Sequence, residues 1–219
     1  MGDNEQIKIL GQVLEGLRTG KSVQVIPVGG KRILRISWLN IVHDPKIYQA
    51  IAKLVKQHAG LQGYAAQAVA SIETSGAKYG FAISYELGVP YFSIHKAAKL
   101  VFEQPVTAEG ISVTENKPIT LHVDKSVASK FRDVILVDDV RRTSTTINTA
   151  VELLNGCGTR VTACYVIVDL AFAGHPRPSK VPANNYHPLF VISDVDESGR
   201  CVVSEGLVPF FLSQGFPRP

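Results

Sequence analysis

The chain has 219 residues, of which 45% are apolar and 19% charged, and its formal net charge is +4. This balance excludes a disordered or low-complexity chain and fits one domain of ordinary size. It also excludes a membrane-spanning helix, since no apolar run approaches the roughly 18 residues needed. The positive charge suits a small anionic substrate. It is scattered rather than gathered in a Lys/Arg block, so it gives nucleic-acid binding little support. The start, Met1 to Glu5, is polar and does not read as a signal peptide. Cys157, Cys164 and Cys201 are odd in number and lack C-x-x-C spacing. They fit neither a disulfide framework nor a zinc site and point to a reducing cytoplasm.

In chain order, residues 4–18 put Ile7, Leu10, Leu14 and Leu17 on one helical face, and Gly20 follows their basic end. S-V-Q-V-I-P-V and R-I-L-R-I-S-W-L, separated by Gly29-Gly30, read as a hairpin. Asp44-Pro45 opens a helix to about residue 58. Q-A-V-A-S-I at 67–72 is a short buried strand, followed by E-T-S-G and a helix over 77–87. A strand over 89–95 comes next, and residues 96–120 read as irregular with a hairpin inside. V-I-L-V at 134–137 is a strand, Thr145 to Leu154 a helix, and 160–168 a further strand. A proline-rich link at 175–182 leads to a last hairpin, L-F-V-I-S-D-V and R-C-V-V-S, joined by D-E-S-G. Continuous apolar strands alternating with helices predict an α/β fold with a parallel sheet flanked by helices. Three segments follow: 1–66 (N-terminal helix, hairpin and hood region), 67–170 (core) and 171–219 (a small C-terminal β extension at the core's edge), in one compact unit.

Ligands of such sheets bind beyond the carboxyl ends of the strands, near a switch point. Two loops qualify, 73–76 and 138–146. In the second, V-I-L-V-D-D-V-R-R-T-S-T-T runs from an apolar strand through two acids into four hydroxyl residues. Thr143, Ser144, Thr145 and Thr146 stand between strand and helix, where backbone N–H groups and hydroxyls bind phosphate. Two carboxylates just ahead would repel a phosphate. They make sense as acceptors for the paired hydroxyls of a ribose, and as ligands of Mg²⁺ directly or through water. The plainer alternative is that Asp138 and Asp139 cap the following helix.

This stretch resembles the phosphoribosyl-diphosphate (PRPP) motif of type I phosphoribosyltransferases. The resemblance gives Asp138 and Asp139 to ribose, with Mg²⁺ as cofactor, and Arg142, Thr143, Ser144, Thr145 and Thr146 to the 5′-phosphate. Relatives often have glycines where Ser144 and Thr145 stand, and a small residue at Arg142. Residues 72–100, I-E-T-S-G through E-L-G to H-K-A-A-K-L, are similar to the adenine branch of the family. There Glu73, Thr74, Ser75 and Gly76 would form the diphosphate loop, with a cis peptide expected between Glu73 and Thr74. Lys96 and Lys99 would stand near the diphosphate, Lys96 with a catalytic role. Adenine enzymes commonly carry Arg at the positions of Ser75 and His95. Arg141, Arg142 or a partner subunit would have to compensate, and His95 is either a partial substitute or a satisfied strand-end residue.

Residues 101–118 correspond to a mobile loop closing over the site, with Glu115 where a functional acid is expected. Arg35 and Trp38 would line the hood over the base, unless Trp38 is simply core. Phe172, after the strand at 160–168, either stacks on a purine or belongs to the core. The resemblance thus implies transfer of 5-phosphoribose from PRPP to a purine base, adenine first, giving AMP and diphosphate in a cytoplasmic homodimer. The alternatives are a 6-oxopurine or orotate phosphoribosyltransferase, or a non-catalytic PRPP-sensing regulator. Residues 1–66 offer no basic recognition helix for the last.

Overall fold

A computed structural model describes residues 1–112 and 117–214. Helix α1 (Asp3–Arg18) leads into the antiparallel hairpin β1 (Val23–Val28) and β2 (Lys31–Ile36), then a single wide turn at Ser37–Ile41. Helix α2 (Pro45–Leu61) starts where expected, because Pro45 presets its first turn and Asp44 Oδ1 accepts from the Lys46 N–H at 2.9 Å. It runs three residues beyond the expected end. Strand β3 (Ala68–Ile72), helix α3 (Gly76–Leu87) and strand β4 (Tyr91–Ile94) form a parallel β-α-β unit.

The segment expected to be irregular is mostly a long antiparallel hairpin, β5 (Pro105–Ser112) with β6 (Lys117–Asp124). It is followed by the short helix α4 (Lys125–Ala128). Asp124 holds this junction: its carboxylate accepts from the N–H groups of Glu103, Gln104 and Ser126. The hairpin lies against a later helix, α5 (Thr145–Gly156), where Gly110 is needed for close approach. A Cβ there would stand 2.1 Å from Thr149 Oγ1.

Strand β7 (Asp133–Arg141), helix α5 (Thr145–Gly156), β8 (Arg160–Asp169), β9 (Tyr186–Val195) and β10 (Cys201–Glu205) complete one six-stranded sheet in the order β10-β9-β8-β7-β3-β4. All neighbours are parallel except β9 and β10. Successive residues of β7 face opposite cores. Ile135 and Val137 pack with α1, α2 and α3, whereas Val134 and Leu136 pack with α5 and the β5–β6 hairpin. Burial on both faces explains the unbroken apolar runs.

The C-terminal hairpin is not peripheral, since β9 pairs with β8 within the sheet. A last helix, α6 (Leu207–Gln214), buries Val208 and Phe211 in the core. Burying the phenylalanine side chain alone contributes about 1.5–3 kcal/mol. The first and last segments also meet each other. Arg18 Nη2 donates to Val203 O at 2.7 Å, and Arg32 Nη1 to Val195 O at 2.5 Å. No helix is long and apolar enough to cross a membrane among the described residues. All three cysteines are buried and free.

Behind the sheet lies a cluster that ties stability to pH. His58 Nδ1 bonds Tyr165 Oη at 2.9 Å, His187 Nε2 bonds Tyr64 Oη at 2.8 Å, and the two imidazole rings are 4.5 Å apart. Burial, then repulsion from His58, pushes His187 down to about 4, and burial lowers His58 as well. Both rings therefore fold neutral, while the unfolded chain takes up protons near pH 6.5. Stability is full above that pH and falls as pH drops toward 4. We expect a loss of about 1–2 kcal/mol for His187, after discounting its partial exposure. Urea unfolding across this range should show it, and His187→Phe should flatten the slope.

Candidate active site

The chain turns from β3 to β4 on one side of the sheet and returns to β7 on the other. The switch point therefore lies between β3 and β7. The residues after these strands, Glu73–Ser75 and Arg142–Ser144, leave the sheet at this end. Close approach to β7 depends on Gly76, where a Cβ would sit 3.2 Å from Asp138 Oδ1 and 3.4 Å from Asp138 Cα. The peptide between Glu73 and Thr74 is cis, as the resemblance leads one to expect.

Asp138 and Asp139 do not lie in a loop. β7 continues to Arg141 because Asp138 pairs with Val166, Val140 with Val168 and Arg141 with Asp169. Nor do the aspartates cap α5, since Ser144 occupies that position. Asp138 is 6% exposed, and its Oδ1 accepts from the Asp139 N–H at 3.0 Å. Burial, and then the adjacent Asp139 charge, hold the Asp138 carboxyl well above the usual range, and Lys96 partly offsets this. Such a pair calls for donors or a cation. Among the described residues no three His, Cys, Asp or Glu side chains gather into a metal cage. Mg²⁺ would thus find only these aspartates here, and would need water and ligand oxygens to complete its shell.

The hydroxyl residues divide. Ser144 is buried and its Oγ donates to Pro176 O at 2.5 Å, so that hydroxyl anchors the loop. Thr143 Oγ1 and Thr145 Oγ1 are 3.5 Å apart, and Thr145 Oγ1 lies 3.5 Å from Ile111 O of the hairpin. Ser144 makes no side-chain cap, so its hydroxyl leaves the first-turn N–H groups of α5 uncapped. Arg142 is half-buried beside them. Arg141 does not face the site. It is 2% exposed, paired with Asp169, and its Nη1 donates to His175 O and Pro176 O at 3.0 and 3.2 Å. Tyr186 Oη donates to the other Asp169 oxygen at 2.8 Å. This network was not visible in the sequence, because its bonded partners lie 17–35 residues apart.

On the β3–β4 side of the switch point, His95 Nδ1 bonds Glu73 Oε2 at 2.6 Å, and Lys99 Nζ is 3.9 Å from the same oxygen. Lys96 is exposed. Thr74 and Ser75 complete the turn into α3. The proposed hood residues are not brought together. Trp38 is 7% exposed and packs on Phe190, with ring centroids 5.7 Å apart. Arg35 is exposed, 3.5 Å from Gln24 Oε1. Arg32, which the sequence did not single out, lies over the half-buried Phe172 ring at 5.4 Å. Glu115 lies outside the described residues.

The chain belongs to the phosphoribosyl transferase domain family, whose model matches residues 37–205. It is a phosphoribosyltransferase of the type I fold. An adenine phosphoribosyltransferase of Bordetella avium is 30% identical over 163 residues, covering 72% of this chain and 82% of the relative. One of Mastomys natalensis is 28% identical over 164 residues, covering 74% and 88%. Among solved structures, the adenine phosphoribosyltransferase of Thermoanaerobacter pseudethanolicus superposes with a TM-score of 0.62 at 21% identity, covering 81% of this chain and 98% of that one. That of Trypanosoma brucei, in complex with AMP, pyrophosphate and ribose-5-phosphate, gives 0.59 at 21% identity, covering 74% and 69%.

Proposed function

We propose that this chain transfers 5-phosphoribose from PRPP to a purine base, adenine foremost, releasing diphosphate. The observation that carries the reading is the Asp138–Asp139 pair at the end of β7, set between the uncapped N-terminus of α5 and the Glu73–Ser75 loop. The relatives named for adenine support the choice of base.

Each group then has one task. Asp138 and Asp139 accept hydrogen bonds from the ribose hydroxyls. The α5 N–H groups, with Thr143, Thr145, Thr146 and Arg142, hold the 5′-phosphate, and Ser144 fixes their loop. The Glu73–Gly76 turn, Lys96 and Lys99 receive the diphosphate. Mg²⁺, carried with PRPP, supplies charge neutralisation for the leaving group. The C1′–O bond breaks with its electron pair on diphosphate, a ring nitrogen of the base bonds C1′, and the base's N–H proton passes to the departing diphosphate or to water. A sugar with developing positive charge is stabilised by carboxylates already in place. The base sits against Phe172 under the β1–β2 hairpin, where Arg32 covers one face of that ring. A cytoplasmic homodimer completes the reading.

The test offers PRPP, Mg²⁺ and, in turn, adenine, hypoxanthine, guanine, xanthine and orotate, with chromatographic detection of nucleotide. AMP formation is the expected result. Turnover of a different base moves the assignment to the Phe172 region while keeping the ribose site. PRPP binding without turnover of any base replaces the enzyme by a sensor.

A further inference from the structure

β3 and β4 are in-register neighbours, with Ile72 opposite Ile94. Their next residues, Glu73 and His95, therefore emerge side by side at the switch-point end of the sheet. The Glu73 N–H donates to Ile94 O at 2.9 Å, and the His95 backbone is clamped both ways by His122 of β6, at 2.8 and 2.7 Å. The His95 ring is 15% exposed and lies 5.3 Å from the Phe102 ring. Its Nδ1 is 2.6 Å from Glu73 Oε2, and Nε2 has no hydrogen-bond partner among the described residues. Each half of this pair has a place in the sequence reading, but their union does not.

We propose that Glu73 and His95 act as one unit that supplies the N–H donor to the leaving diphosphate, His95 touching it through Nε2 and Glu73 orienting the ring. The proposal rests on the ribose-transfer reading above. A carboxylate only accepts, so Nδ1 carries the proton shared with Glu73. The neutral ring then presents a lone pair at Nε2, which repels an anion. Only the doubly protonated ring offers Nε2–H to a phosphate oxygen, as a charge-assisted bond. Diphosphate binding is thereby coupled to uptake of one proton, which a guanidinium at this position would not require. The other charges around the ring are Lys99, 3.9 Å from the shared Glu73 oxygen, and Lys96 next in the chain. His122 reaches His95 through its backbone, and its Nδ1 bonds Thr107 Oγ1 at 2.9 Å.

The experiment is calorimetric titration of the full chain with inorganic diphosphate and Mg²⁺ at about pH 6 and about pH 8.5, where imidazolium is respectively more and less available. Wild type, His95→Gln, His95→Arg and Glu73→Gln are compared, with ribose 5-phosphate as the control ligand. His95→Gln should lose about tenfold in diphosphate affinity at the lower pH, the scale of one charge-assisted bond. His95→Arg should bind well at both pH values, with a shallower pH dependence than wild type. Glu73→Gln should fall between. Ribose 5-phosphate affinity should stay constant throughout. Wild-type affinity in His95→Gln, or an unchanged pH slope in His95→Arg, overturns the proposal. Failure of the ribose-transfer reading looks different: wild type then makes no nucleotide and binds no ribose 5-phosphate, whatever the variants do with diphosphate.

Discussion

Replacing Asp138 and Asp139 together by Asn should abolish nucleotide formation while leaving the protein folded and at least as stable. The loss in kcat/KM is expected to reach about a thousandfold or more, or roughly 4 kcal/mol of transition-state stabilisation. An amide still meets a hydroxyl but brings no charge to a sugar turning cationic. The stability half follows from burial. Asp138 has its carboxyl raised by desolvation and by its neighbour's charge. A raised acid costs stability where it is ionised, above the ordinary range near pH 3.9, and nothing where both states hold the proton. Asp138→Asn alone should therefore raise Tm at neutral pH by about 2–4 °C for each 1 kcal/mol relieved. That gain should fade as pH falls toward 4. Calorimetric melts of both variants at several pH values, beside turnover assays, check the pair of effects. A melt that drops sharply at neutral pH would instead make the aspartates structural.

Arg141→Ala should produce the largest loss of stability of any single change considered. It strands the Asp169 carboxylate, 1% exposed, with Tyr186 as its one remaining side-chain partner among the described residues. Removing one member of a buried ion pair typically costs about 3–5 kcal/mol, which at this size lowers Tm by about 10 °C or more. The paired replacement Arg141→Met with Asp169→Leu should recover most of the loss, because neither charge is then left behind. Chemical unfolding of the three proteins decides the point. Arg141 also holds the His175 and Pro176 carbonyls, and Pro176 in turn accepts from Ser144. The double variant should consequently refold yet bind ribose 5-phosphate more weakly than wild type.

The strands and helices of the core were legible because each is long enough for its period to show. The Asp-Asp-to-hydroxyl stretch was legible because acids are rare at the end of an apolar strand. Three things were not. The extent of β7 depends on pairing with β8, which no local pattern encodes, so the aspartates read as loop. Helix α6 was missed because L-V-P-F-F-L has no polar face, and its proline is tolerated only because it falls in the first turn. The pairings Arg141–Asp169 and Glu73–His95 join residues 28 and 22 positions apart. Only the strand register brings them together. Trp38 shows the converse: an aromatic in a suggestive place is claimed by the core, because the ring of Phe190 lies beneath it.

The bonds from Arg18 to Val203 and from Arg32 to Val195 join the beginning of the chain to its end. The anchors of α1 and of the first hairpin thus come from strands 185 and 163 residues further along and exist only once that much more chain has been made. Strand β7 and helix α5 both precede those anchors in the chain. A chain cut before β9 would lose both anchors together with the strand that pairs with β8 and the Tyr186 bond to Asp169.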